Sequence, residues 1–343
     1  MTPVPSPAYG DWLRVARRHL TRPLCSPQAL DRLLAASAHL PGDCQGAIEV
    51  HLGADGGAVD LSVRVEEIGQ ARQMAERSLP THLRSFLLRW SEAEGPFSSI
   101  PCVWLEFDLD GPGEGLPTPS VCARLPRDAD LDGIVESLLP SLHGRPLSEA
   151  QSRLVRRCHG EIPEESCLLY VFSLLSRPGS PVRMEIFGLD PAGALAYLHR
   201  VAPHAAPPLT EIAPLFEGID RPHLSFDLGT EILPRVGLEG SFARQREPRW
   251  ADLFARLVAR GLCTTAERDA ILAWPGYDTF WTATADWPLE RAGIGGMSGF
   301  CVRALSHVKV VAQPGRPPEA KVYLLASYRA AASSPARRSV RST

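Results

Sequence analysis

Residues 300–327 read FCVRALSHVKVVAQPGRPPEAKVYLLAS. Apolar and polar residues alternate on both sides of a Pro/Gly-rich turn, the pattern of two antiparallel strands joined as a hairpin. The same stretch holds Lys309 and Lys321, the only lysines among the 36 basic residues of the chain. Four more pairs of strand-like segments lie upstream: 47–52 with 60–66, 102–109 with 120–125, 167–174 with 182–189 and 223–229 with 233–241.

Helical periodicity precedes each pair. An amphipathic run from Asp11 to Leu20 is followed by PQALDRLLAASAHL, capped by Ser26. The second set spans 68–90 and breaks at Pro80. LDGIVESLLPSL with SEAQSRLVRRC, AGALAYLHRVA with LTEIAPLFEGI, and RWADLFARLVARGL with TAERDAILAW complete the series, the last capped at Thr264 or Thr265. The order is helix, helix, strand, strand, five times over. Hairpins leave open edges unless the sheet closes, so the expectation is an α+β fold. Ten antiparallel strands form a barrel with the helices outside. Ten strands exceed the size that side chains fill, so a chamber remains.

One face of nearly every strand is apolar and belongs under the helices: Ile48/Val50/Leu52, Val103/Leu105/Phe107 and Leu224/Phe226/Leu228 are examples. Segment 167–174 is apolar on both faces, which leaves its facing open. The opposite faces are polar and point inward. They present Glu49, His51, Trp104, Glu106, Asp108, His223, Ser225 and Asp227. The second strand of each hairpin adds a cation: Arg64, Arg124, Arg183, Arg235 and Lys321, with Tyr323 beside the last. Continuous alternation through 300–311 adds Arg303, His307 and Lys309. Cations balanced by carboxylates are compatible with a solvated lumen laced by ion pairs, which needs no ligand. They are equally compatible with an anionic ligand such as a diphosphate, held by guanidinium forks and ammonium charges.

Composition narrows the classes. A net charge of −3 disfavours nucleic-acid binding, which requires a basic face. The eight cysteines form no C-x-x-C pair, so neither a zinc centre nor a redox motif is expected. The N-terminus lacks a signal-peptide pattern and no apolar run is long enough to span a bilayer, which predicts a cytoplasmic monomer without a membrane partner. Residues 1–328 read as a single domain, and 329–343 as a basic disordered tail. GIGGMSG (293–299) precedes a strand and lacks the helix and lysine of a P-loop, so it is rejected as a nucleotide motif. The tryptophan-rich segment 272–288 reads as a lid or chamber wall, or as an anchored connection.

The element order and facing pattern over residues 8 to 328 resemble the ABBA aromatic prenyltransferases, the PT-barrel enzymes, and AKVYL is similar to their K-x-Y strands. The resemblance implies transfer of an allylic prenyl group from its diphosphate to an electron-rich aromatic acceptor, an indole or phenol, free or within a peptide. It implies no cofactor and no requirement for magnesium; no D-D-x-x-D motif occurs. On this resemblance Glu49, with Glu106 in reserve, orients the acceptor. Arg64, Arg124, Arg183, Arg235, His307, Lys309, Lys321 and Tyr323 hold the diphosphate, and Trp104 and Tyr170 contact substrate. The chain departs from the family in its few strand tyrosines and in Glu185, which sits beside Arg183. The alternative is a non-prenylating barrel that holds a peptide or anion in its lumen.

Overall fold

The computed structural model describes residues 7–53, 57–111, 115–243, 247–292 and 298–330. The expected tail, from 331 on, and residues 293–297 of the glycine-rich segment lie outside the described residues.

Eleven strands form one sheet. They are β1 (Gln45–His51), β2 (Val59–Val65), β3 (Val103–Phe107), β4 (Ser120–Arg124), β5 (Cys167–Ser173) and β6 (Val182–Phe187), then β7 (Arg221–Leu228), β8 (Ile232–Ser241), β9 (Gly276–Thr279), β10 (Phe300–Gln313) and β11 (Arg316–Arg329). Successive strands from β1 to β8 pair antiparallel, β8 pairs with β10, β10 with β11, and β11 returns to β1. The ring is a closed ten-stranded antiparallel barrel, as the alternation predicts. The short β9 was not anticipated; it lies outside the ring and pairs only with the start of β10.

Helices cover the apolar outer face of the ring. Ser26, Ser148, Asp190 and Thr264 each accept a backbone N–H at a helix start, and Pro27 and Pro191 occupy first-turn positions where no donor is lost. Between helices and strands lies one continuous core that includes Trp12, Leu13, Phe86, Phe107, Phe226, Phe254 and Trp274. Each large side chain buried there contributes about 1.5–3 kcal/mol. Helix Tyr9–Ala16 docks so closely on β1 that a Cβ on Gly46 would fall inside the Tyr9 ring. No helix among the described residues is long and apolar enough to cross a membrane.

Two bulges adjust the facing. In β5, Leu168 pairs with Ile186 but Tyr170 with Glu185, so one extra residue flips the alternation. Leu168 faces the helices, whereas Leu169, Tyr170 and Phe172 face the lumen. That explains a segment apolar on both sides. In β10, Ser306 and His307 stand opposite Tyr323 alone, between Leu305↔Leu324 and Val308↔Val322. The alternation therefore changes phase, and Arg303, expected inward with Lys309, faces outward instead. Its guanidinium donates to Asp278 of β9 and to the Trp274 carbonyl, and stacks over the Trp274 ring.

Candidate functional site

The lumen falls into two connected parts. A cavity of about 470 Å³ is lined by the aromatic side chains Trp104 on β3, Tyr170 and Phe172 on β5 and Phe187 on β6, by Glu106 and Glu185 on two of the same strands, and by His223, Glu239 and Lys309 on β7, β8 and β10. A constricted space of about 20 Å³ at the hairpin end is lined by Arg177, Arg183, Arg235, Lys321, Glu49, Asp60 and Asp108. Ser62, Glu106, Lys309 and Tyr323 line both and form the layer between them.

Strand register sets the charged contacts. Lys309 and Lys321 are direct cross-strand partners, a like-charge juxtaposition that is unfavourable on its own. Each ammonium turns away to a carboxylate on the flanking strand: Lys309 donates to Glu239 of β8, and Lys321 to Glu49 of β1. A compact ammonium on a flexible stem permits this divergence; two rigid guanidinium forks side by side would not. Arg183 grips Asp227 with two hydrogen bonds, 2.6 and 3.1 Å, and Arg177 reaches the same carboxylate at 3.6 Å. Arg235 meets Glu319 at 3.3 Å, and Arg64 meets Glu66 at 2.5 Å. His51 bridges to Asp60 at 2.7 Å. The Arg124 guanidinium lines the wide cavity without a hydrogen bond or ion pair among the described residues.

These partners set the titration behaviour. Burial pushes Glu49 up, but Lys321, His51 and the hydrogen bonds from Lys321 and Tyr323 outweigh it and hold the carboxyl far below its usual range. Glu239 is likewise lifted by burial yet held at about 2 by Lys309, His307 and His223. The Glu106 carboxyl has no hydrogen bond or ion pair among the described residues. Burial and the negative Glu49 push it up to about 7, against the opposing pull of Lys309 and Arg183. Burial lowers His307 to about 4, so its imidazole is neutral, stacked on Tyr323 with ring centroids 4.0 Å apart. Its Nδ1 shares a hydrogen with Ser306 Oγ at 2.9 Å. For His223 burial acts downward, but the hydrogen bond and charge of Glu185 raise it above the ordinary histidine value.

The structure distributes the sequence-derived candidates by height. Glu106, Trp104, Tyr170, Arg124, His307, Lys309 and Tyr323 line the wide cavity, while Arg183, Arg235, Lys321 and Glu49 sit at the hairpin end. Arg64 lines neither part; its guanidinium lies over the Trp104 ring. The cations on the second strand of each hairpin therefore do not converge at one level. The segment 272–288 lines neither part: Trp274 and Trp287 are buried anchors and Trp281 is exposed. Sequence reasoning missed Glu239, although strict alternation from Arg235 through Gly237 puts it on the inward face. It also missed Phe172, hidden by the bulge in β5, and Arg177, which belongs to a turn.

Neither a family model nor a curated protein matches the sequence. Solved structures do. The chain is similar to the prenyltransferase PriB in ternary complex with L-tryptophan and dimethylallyl thiolodiphosphate, at 16% identity and a TM-score of 0.55, over 95% of this chain and 99% of that one. It is also similar to 5-dimethylallyltryptophan synthase from Streptomyces coelicolor, at 12% identity and a TM-score of 0.53, over 93% and 97% of the two chains. With helix pairs outside a closed ring of ten strands, and this match over almost the whole length, the chain has the fold of the ABBA aromatic prenyltransferases, the PT barrel.

Proposed function

We propose that the protein is a metal-independent aromatic prenyltransferase, moving an allylic group from its diphosphate to an electron-rich ring. The observation that carries the reading is the composition of the chamber: aromatic side chains and the Lys309 ammonium line the wide cavity, and Lys309 also lines the constricted space that holds Lys321, Arg183 and Arg235. PriB, the similar structure, holds L-tryptophan and an allylic thiolodiphosphate. In this chain the arene would lie against Trp104, Tyr170 and Phe172, with its N–H or O–H directed to Glu106. Glu106 takes precedence over Glu49, whose carboxylate is already held by Lys321. The diphosphate would sit at the floor of the wide cavity against Lys309 and Tyr323, and would reach Lys321, Arg183 and Arg235 by opening the space of about 20 Å³ below and displacing their carboxylate partners. Donors there stabilise charge that grows as the C–O bond breaks, and so act in the transition state.

A second reading rests on one specific observation. Lys309, Lys321, Arg183 and Arg235 each already have a carboxylate partner, so a diphosphate must displace carboxylates that neutralise them. This favours a non-prenylating barrel that holds a peptide or a less charged ligand. Calorimetric titration with dimethylallyl thiolodiphosphate in excess chelator separates the two. Micromolar binding without metal, followed by a prenylated product from dimethylallyl diphosphate and L-tryptophan, is the expected result. In that assay Glu106→Gln raises the acceptor KM about tenfold, the equivalent of about 1.4 kcal/mol. Absence of any binding heat at moderate salt would favour the second reading.

A further inference from the structure

Joining an allylic carbon to an arene carbon leaves a proton on that ring carbon, and some group must remove it before aromaticity returns. We infer that His223 takes this proton on Nε2, and that Glu185 positions His223 for the task. The inference rests on the prenyl-transfer reading and deepens it.

The geometry is that of an oriented base. His223 Nδ1 is hydrogen-bonded to Glu185 Oε1. Glu185 is almost fully buried and its only ion pair among the described residues is this one. With Nδ1 engaged, Nε2 has no hydrogen-bond partner among the described residues, and the side chain lines the wide cavity. Phe187 packs edge-on against the imidazole, centroids 5.2 Å apart at 84°, which fixes the ring plane. A carboxylate that holds one imidazole nitrogen while the other faces a substrate chamber sets the tautomer and the direction of proton transfer. His307 is a poorer candidate. Its Nδ1 is occupied by Ser306, its Nε2 lies 3.5 Å from Glu239, and its ring is stacked on Tyr323.

The step balances without another reactant. The allylic C–O bond breaks and its electron pair leaves with the diphosphate. A π pair of the arene forms the new C–C bond. The C–H pair then returns to the ring as the proton passes to the Nε2 lone pair. The charged and titratable groups facing His223 are Glu185 on β6, Glu239 on β8, and Lys309 and His307 on β10. Glu185 and Glu239 favour the imidazolium and Lys309 opposes it, while His307, lowered to about 4, is neutral.

The test uses the full chain with dimethylallyl diphosphate and L-tryptophan, reading kcat against pH for wild type, His223→Gln and Glu185→Gln. A base must be neutral, so wild-type activity rises with pH through a limb above the ordinary histidine pKa. Glu185→Gln removes what raises that pKa and moves the limb to lower pH, a shift that loss of packing alone would not give. His223→Gln abolishes the limb and lowers kcat about 10²-fold, and a primary isotope effect emerges with acceptor deuterated at the attacked carbon. The KM for dimethylallyl diphosphate stays unchanged. If His223→Gln does not fold, the Glu185→Gln shift still decides the matter. Turnover with an unmoved limb and no isotope effect would overturn the role of His223 alone. No turnover by the wild type would overturn prenyl transfer and the base together.

Discussion

At the scale of single residues, the two lysines are defined by their neighbours. Lys321 is 9% exposed and Glu49 7%. Removing one member of such a pair strands a buried charge, so Lys321→Ala should cost roughly 3–5 kcal/mol in urea unfolding. The double change Glu49→Leu with Lys321→Met should recover most of that, because the desolvation cost disappears with both charges. Glu106 behaves in the opposite sense. An unfolded glutamate titrates near ~4.3, whereas in the fold this carboxyl is pushed up to about 7. Below the lower value both states are protonated and nothing is lost. As pH rises to about 7 the unfolded chain gains charge that the fold resists, so stability falls, and the loss is complete above that pH. Glu106→Gln removes the effect. Its thermal advantage over wild type should be near zero at acid pH and grow at alkaline pH, on the order of 2 kcal/mol once solvent on the chamber side is allowed for.

At the scale of elements, regular alternation was legible and its interruptions were not. Strand pairing, helix order and the caps at Ser26 and Thr264 follow from local pattern, because each depends on residues within one turn or one pleat. A bulge depends on the partner strand. Nothing within ALSHVK announces that Ser306 and His307 share one position opposite Tyr323, so alternation alone places Arg303 on the wrong face. The inward glutamates were readable in the same way as the arginines, but which cation each would neutralise required the cross-strand register. Packing of helix on strand was equally invisible. The Tyr9 ring rests on the bare backbone of Gly46, so Gly46→Ala should destabilise by about 1–3 kcal/mol through overpacking, measured by thermal melting. The same change in a Tyr9→Ala background should cost less, since the clashing ring is gone.

At the scale of the whole molecule, closure depends on β1 meeting β11. Gly46 through His51 pair with Ala326 through Lys321, and Lys321 to Glu49 joins residues 272 positions apart. Contacts this distant in sequence form late in folding. Leu324→Ala, opposite Ile48 in this ladder, should therefore speed unfolding while leaving the refolding rate nearly unchanged, which a denaturant series of stopped-flow rates can read. The same seam has a consequence during synthesis. A ribosome delivers β1 first and β11 last, so for most of translation Glu49 has neither its ammonium partner nor the strand that covers its edge. A prematurely ended chain keeps an open ladder and an unmatched carboxylate, both of which favour disassembly and degradation. Closing the ring and neutralising Glu49 are thus one event, since the strand that covers the open edge of β1 also delivers the ammonium.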